Sequence, residues 1–88
     1  MTESASRGVN RRRFIAPDGR IIEAPFDVYW FAVDADGRGY IFSAAPDRYS
    51  HAWLVDNGSF MGVYHYTGCF NWKVSRWRLD DSGKWKRC

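Results

Sequence analysis

The chain has 88 residues and a mass of 10.3 kDa, enough for one domain with a single modest core. It carries a net charge of +3, and its longest apolar run, residues 28–33, is far shorter than the roughly 20 residues of a membrane-spanning helix. The N-terminal residues form no apolar leader, and two cysteines make no disulfide framework. We therefore expect a cytoplasmic protein that does not contact membranes.

The balance of residue types predicts an all-β fold. Val, Ile, Thr, Tyr, Phe and Trp together number 28, whereas Leu, Glu, Lys, Gln and Met together number 9. The first group suits a pleated sheet and loses rotamer freedom in a helix. We predict a single domain of five to seven antiparallel strands over residues 10–88, arranged as a meander, a curled sheet or a small barrel. Residues 1–9 are polar and unpatterned, which predicts a disordered tail.

Turn sequences recur about every ten residues after this tail, the spacing of a small all-β protein. Each turn fixes the register of the strands beside it, so cross-strand pairs follow from the sequence. Four hairpins are predicted, around the turns at 17–19, 35–37, 57–58 and 81–83. They pair Phe14 with Ile22, Phe31 with Ile41, Leu54 with Met61, and Leu79 with Trp85.

Two segments depart from simple alternation. The apolar phase slips by one residue between Val74 and Trp77, which predicts a β-bulge near residues 75–76. Residues 46–56 leave two alternatives open, a short helix with a proline at its start and Asn-Gly at its end, or a loop followed by a strand over residues 51–55.

Sixteen aromatic residues are many for so small a core. The hairpin over residues 26–44 is apolar on both faces, with Trp30 and Phe42 on one and Phe31 and Ile41 on the other. A sheet of this kind is normally covered on both faces. Three interpretations follow. The rings fill a core, the sheet closes on itself, or one aromatic face stays open for a partner or for a second copy in a homodimer.

Positive charge gathers at the two ends of the chain. The formal charge is +2 over residues 1–25, −3 over residues 26–68 and +4 over residues 69–88. Arginine supplies 10 of the 13 cations, and its guanidinium group suits bidentate contact with phosphate and stacking on flat rings. This pattern favours a nucleic-acid partner, although cations that guard an edge strand or face an acidic protein would give the same pattern.

The lead hypothesis is a non-enzymatic module that binds nucleic acid, single-stranded RNA or DNA in particular. Its cations would contact phosphate while its rings stack on bases. The candidate binding residues are Arg11, Arg12, Arg13, Arg76, Arg78, Lys84, Lys86, Trp77, Trp85, Tyr64 and Tyr66.

The alternative hypothesis is a protein–protein interaction module, because aromatic residues and arginine also dominate protein interfaces. A small phage or mobile-element inhibitor or accessory protein that binds a host protein complex would fit this description. A sugar or a small cationic ligand stacked on tryptophan is a third hypothesis.

Residue types that could support catalysis or metal binding are present without the spacing those functions need. His51, His65, Cys69 and Cys88 lack the paired spacing of a zinc site, and residues 34–37 lack the later ligands of a calcium loop. In the predicted register the two cysteines lie too far apart for a disulfide, which leaves Cys88 as a free thiol. We expect no metal, no cofactor and no enzymatic activity.

Overall fold

The computed structural model describes residues 10–68 and 71–88, and these residues form an all-β fold, as predicted. The tail predicted over residues 1–9 lies outside the described residues. A 3-10 helix spans Trp72–Val74. The strands of the described residues are β1 (Arg13–Ile15), β2 (Ile21–Glu23), β3 (Trp30–Val33), β4 (Arg38–Phe42), β5 (Asp47–Arg48), β6 (Trp53–Leu54), β7 (Phe60–His65), β8 (Arg76–Leu79) and β9 (Trp85–Arg87).

Five of these strands build a central antiparallel sheet in the order β7-β4-β3-β8-β9. The β3–β4 hairpin lies in the middle, with the β8–β9 hairpin beside β3 and with β7 beside β4. The other four strands form two ribbons, β1–β2 and β5–β6. The described residues thus hold nine strands where five to seven were predicted, because two-residue strands such as β5 and β6 are too short to alternate.

Three of the four predicted hairpins form in the predicted register. Phe14 faces Ile22 across the β1–β2 ribbon, and Phe31 faces Ile41 across β3 and β4. In the last hairpin, residue 79 faces residue 85. The glycines of these turns have φ values of +93°, +90° and +86°, a left-handed conformation that glycine adopts without a steric penalty. Local turn chemistry therefore sets these registers.

The hairpin predicted around residues 57–58 is wrong. Strand β6 pairs with β5, and β7 pairs instead with β4, where Met61 faces Ile41. The cause is tertiary packing. In this arrangement Trp53 of β6 packs on the sheet with Ala32 and Phe42, which we call the Phe42 cluster. Strand β7 gains a long hydrogen-bonded ladder along the edge of β4.

Short local structures form in the two segments that depart from simple alternation, residues 46–56 and the region near residues 75–76. Residues 46–56 contain β5 and β6 and no helix, so the helix alternative is wrong. Strand β6 lies within the strand predicted over residues 51–55, whereas β5 replaces part of the loop predicted before it. The β-bulge predicted near residues 75–76 is also wrong. The 3-10 helix ends at Val74 and is capped by Ser75, whose hydroxyl donates to the Asn71 carbonyl at 2.6 Å, and β8 begins at Arg76. The phase slip marks this change of structure rather than an extra residue within a strand.

The β1–β2 ribbon covers one face of the central sheet. Phe14 and Ile22 of the ribbon join the fully buried Phe31 in one hydrophobic cluster. Packing around this ring is tight, since a Cβ built on Gly39 would lie 2.7 Å from Phe31 Cζ. Four further rings have centroids 5.9–6.4 Å from that of Phe31, namely Tyr64, Tyr66, Trp77 and Trp85.

The opposite sheet face, which carries Trp30, Phe42 and Phe60, is covered only in part, and we call it the open face. The β5–β6 ribbon places Trp53 against the Phe42 cluster, and Trp53 Nε1 donates to the carbonyl of Trp72 at 3.1 Å. Trp30 is half-buried, and Phe60 is 58% exposed. Two ribbons of the same chain therefore do most of the covering that the aromatic hairpin needs.

Asp18 ties the turn of the β1–β2 ribbon to the segment after β7. Its carboxylate accepts hydrogen bonds from the Tyr64 hydroxyl at 2.8 Å, from the Thr67 backbone N–H at 3.1 Å and from the Thr67 hydroxyl at 3.0 Å. The Arg20 guanidinium carbon lies 4.6 Å from the Tyr64 ring centroid. Burial, and then the bond to Asp18, raise the pKa of Tyr64, so its hydroxyl remains a donor.

Acid should weaken this link. Partial burial acts to raise the pKa of Asp18, but the hydrogen bonds from Thr67 and Tyr64 outweigh it and hold the pKa below its ordinary value of 3.8. A carboxylate with a lowered pKa contributes stability above its ordinary pKa and loses it as the pH falls through the folded-state value. Asp18→Asn should therefore cost about 1 kcal/mol of unfolding free energy at neutral pH, discounted for partial exposure, and less as the pH falls below 3.8. Urea unfolding of the wild type and of Asp18→Asn, at neutral pH and again below pH 3.8, measures the change in unfolding free energy under each condition.

Glu23→Gln is the control for that experiment. Glu23 forms an exposed ion pair with Arg13 at 3.5 Å, so its loss should change the unfolding free energy little. An Asp18→Asn effect that is no larger than the Glu23→Gln effect, or that grows in acid, would contradict the role given to Asp18.

Candidate nucleic-acid interface

The four predicted stacking rings lie on the covered face of the sheet. Trp77 is only 7% exposed, and its ring centroid lies 5.4 Å from that of Tyr66. Trp85 is half-buried and donates its Nε1 hydrogen to the Ile15 carbonyl at 2.7 Å. Tyr64 and Tyr66 pack against the same core cluster. All four rings thus pack in or against the core between the β1–β2 ribbon and the sheet, so they do not present an open stacking surface.

Arg11, one of the predicted binding residues, is held against the protein. Arg11 Nη1 donates to the carbonyls of Val28 and Leu79, each at 3.2 Å, and Nη2 lies 3.1 Å from Asp81 Oδ1. The Arg11 guanidinium carbon also lies 4.1 Å from the ring centroid of Tyr29. Only 13% of this side chain is exposed, so it is an internal clamp between β8 and the segment before β3.

The other two arginines of the run form ordinary surface ion pairs. Arg12 Nε lies 3.0 Å from Asp27 Oδ1, and Arg13 Nη1 lies 3.5 Å from Glu23 Oε2. Exposed pairs of this type are weak, so both side chains remain open to exchange with another anion. Neither residue lines the cleft beside Arg78 that is described below.

One cross-strand row spans the whole open face. The register aligns Lys86 of β9, Arg78 of β8, Trp30 of β3, Phe42 of β4 and Phe60 of β7. Neighbouring strands are about 4.8 Å apart, so the row is about 19 Å long. Its β9 end is cationic and its β7 end is aromatic. Cations and aromatic rings therefore lie in one row across the sheet, with the cations at one end and the rings at the other.

The cations at the β9 end are poorly neutralised. Within the described part of the chain, Arg78 and Lys84 are exposed and their side chains have no hydrogen-bond or ion-pair partner. Lys86 Nζ lies 3.8 Å from Asp80 Oδ2. The Asp80 carboxylate also accepts bonds from Ser82 and the Lys84 backbone, which lower its pKa to about 2. Among residues 10–68 and 71–88, Asp80 thus supplies the one carboxylate that is paired with any of these three cations.

Arg76, another of the predicted binding residues, is half-buried. Its guanidinium carbon lies 5.0 Å from the Trp30 ring centroid and 5.6 Å from that of Trp53, and Nη1 donates to the Pro46 carbonyl at 2.9 Å. Its Nε is buried and has no hydrogen-bond partner among the described residues. Arg76 therefore packs the β5–β6 ribbon onto the sheet and stiffens one side of the Trp30 ring.

A cleft of about 420 Å³ opens beside Trp30 and Arg78. Tyr29, 40% exposed, adds a second ring at its wall. The residues that line it are Arg11, Tyr29, Trp30, Ser43, Arg78, Leu79 and Asp81. Tyr29 and Trp30 are not among the predicted binding residues, because alternation assigns these neighbours to opposite faces of the 26–44 hairpin and does not show that both line one cleft.

The remaining features concern metal binding, membrane spans and the cysteines. No cluster of three or more His, Cys, Asp or Glu side chains that could hold a metal ion occurs within residues 10–68 and 71–88. Among the same residues, no helix has the length and apolarity to cross a membrane. Cys88 is a free, exposed thiol, as predicted. Cys69 lies outside the described residues.

Comparisons with protein-family models, with curated proteins and with solved structures give no match to this chain.

Proposed function

We propose that this protein is a non-enzymatic module that binds single-stranded nucleic acid on the open face of its sheet. The observation that carries the proposal is the cleft whose lining includes the exposed Arg78 together with Tyr29 and Trp30. Phosphate contact and base stacking are the two interactions that such proteins combine.

The electrostatics of the last hairpin support an anionic ligand. Arg78 faces Lys86 directly across β8 and β9, and like charges in that position destabilise a sheet. Asp80 lies near Lys86, but Arg78 has no acidic partner among the described residues. A phosphate group over this pair would relieve the repulsion, which favours binding of a polyanion.

The rings favour a single strand over a duplex. A base can stack on Tyr29 or Trp30 only when its face is free, and the bases of a duplex already stack on one another. A duplex would contact the cations alone. Single-stranded ligands should therefore bind more tightly than duplexes of equal length.

Fluorescence anisotropy with a labelled single strand of about 12 nucleotides tests the proposal. The three cations at the β9 end predict that log K falls against log salt with a slope of about −2, since each phosphate contact contributes about −0.7 for a single strand. A duplex of the same length should bind more weakly. No binding of the single strand at about 50 mM salt would end the proposal.

A second candidate function, contact with a protein, is favoured by a different surface. Ile15 and Ile21 face each other on the outer side of the β1–β2 ribbon and are 61% and 65% exposed. Exposed apolar pairs of this kind mark protein interfaces when they belong to a larger patch. Capture of a partner that survives nuclease treatment and is lost in Ile15→Thr, with nucleic-acid binding unchanged, would support this function.

A further inference from the structure

The guanidinium group of Arg11 is positioned by groups that do not neutralise it. Two backbone carbonyls, those of Val28 and Leu79, accept from Nη1 at 3.2 Å each, and both residues are buried. The ring of Tyr29 lies beneath the guanidinium carbon at 4.1 Å. These contacts would hold the group in place if Asp81 moved away. Arg11 therefore presents a fixed, directed positive charge at the wall of the cleft.

Asp81 supplies the anion that this charge requires. Its Oδ1 lies 3.1 Å from Arg11 Nη2, yet its side chain is fully exposed, since it belongs to the turn between β8 and β9. No other ion pair is formed by Asp81 among the described residues. An exposed carboxylate of this kind is held weakly and can swing into solvent.

We propose that the carboxylate of Asp81 occupies a phosphate-binding position on Arg11, and that a phosphate of the bound strand replaces it there. This inference rests on the proposed function. The cleft volume of about 420 Å³ lies within the range of small-ligand sites, so it can hold the nucleotide that carries this phosphate. Arg78 at the cleft wall would contact the same or the next phosphate, while Tyr29 and Trp30 offer their rings to the base.

The chemistry of exchange is balanced, because one anion leaves Arg11 Nη2 as another arrives. A phosphodiester oxygen accepts the same charge-assisted N–H bond that the carboxylate accepts. The released Asp81 then becomes hydrated at the rim of the cleft. In the wild-type protein, part of the binding free energy is consequently spent on separating Arg11 from Asp81.

Asp81→Asn tests this competition, since it removes the charge, keeps the side-chain shape and leaves a residue that suits a turn. Asp27→Asn is the matched control, because Asp27 pairs with Arg12 at 3.0 Å outside the cleft and its substitution changes the net charge equally. We expect Asp81→Asn to bind the single strand about two- to fivefold more tightly than Asp27→Asn, given the usual strength of exposed ion pairs.

Titration with inorganic pyrophosphate, followed by NMR shifts of the Arg11 and Tyr29 amides, separates the failure of this inference from failure of the proposed function. Equal affinities of the two variants for the single strand would overturn the competition and leave the proposed function standing. If no variant binds the strand but Asp81→Asn binds pyrophosphate more tightly than Asp27→Asn, the anion position is supported and the proposed function falls. Loss of both signals would overturn both.

Discussion

Phe31→Ala is expected to remove about 3–5 kcal/mol of unfolding free energy, the usual range for truncation of a buried phenylalanine. The ring is fully buried in β3 and contacts residues from both ribbon and sheet. Its neighbours include four rings with centroids 5.9–6.4 Å from its own. They cannot all move inward, so a cavity would remain. Since small domains are stable by only about 5–15 kcal/mol, this loss would bring the protein close to unfolding.

Phe60→Ala provides the matched comparison, as the same atoms are removed from a ring that is 58% exposed. Phe60 stacks on Phe42 with centroids 6.4 Å apart, so its loss should cost about 1 kcal/mol or less. Urea unfolding of both variants followed by circular dichroism gives the two values. Similar losses in the two variants would show that the sheet does not have its core where the structure places it.

Short-range features of this fold could be predicted from the sequence. The turn around Gly37 and the alternation beside it are enough to align Phe31 with Ile41, because a hairpin needs only its own residues to select a register. The same reasoning predicts the pairing of Leu79 with Trp85. Both predictions are confirmed, since local turn chemistry and tertiary packing favour the same arrangement.

Long-range competition could not be predicted in this way. The Asn57-Gly58 turn is compatible with a hairpin, but β7 pairs with β4 instead. Strand β4 pairs with β3 on one side, and the sequence does not show which strand pairs with its other side. The different environments of Arg76 and Arg78 likewise depend on long-range packing that could not be predicted. They share one face of β8, yet Arg76 is enclosed by the rings of Trp30 and Trp53 while Arg78 reaches solvent.

The clamp at Arg11 was likewise beyond sequence analysis. A run of three arginines after a polar tail is typical of a mobile basic arm. The acceptors of Arg11 are the Leu79 carbonyl and the Asp81 carboxylate, which lie 68 and 70 residues away along the chain. Partners at such separations become visible only when the sheet order is known. The composition therefore predicted the kinds of residue at the site, and the topology determined which of them meet.

Arg78→Ala is expected to weaken single-strand binding by about tenfold or more, the effect of losing a hydrogen-bonded contact to a charged group. Arg78 lines the cleft, is exposed and has no side-chain partner in the described part of the chain, so its removal breaks no contact that holds the fold. The unfolding free energy should stay within about 0.5 kcal/mol of the wild type. A loss of affinity without a loss of stability would place the phosphate contact at this residue.

Arg38→Ala is the control that makes this result specific. Arg38 is also an exposed arginine on the open face, and its side chain lacks a partner among the described residues. It lies four residues along β4 from Phe42, about 13 Å from the row that contains Arg78. Both substitutions remove one positive charge, so a ligand attracted by net charge alone would weaken equally for both. Because the cleft combines the guanidinium group with two rings, we expect the affinity and the salt slope to fall in Arg78→Ala and to change little in Arg38→Ala.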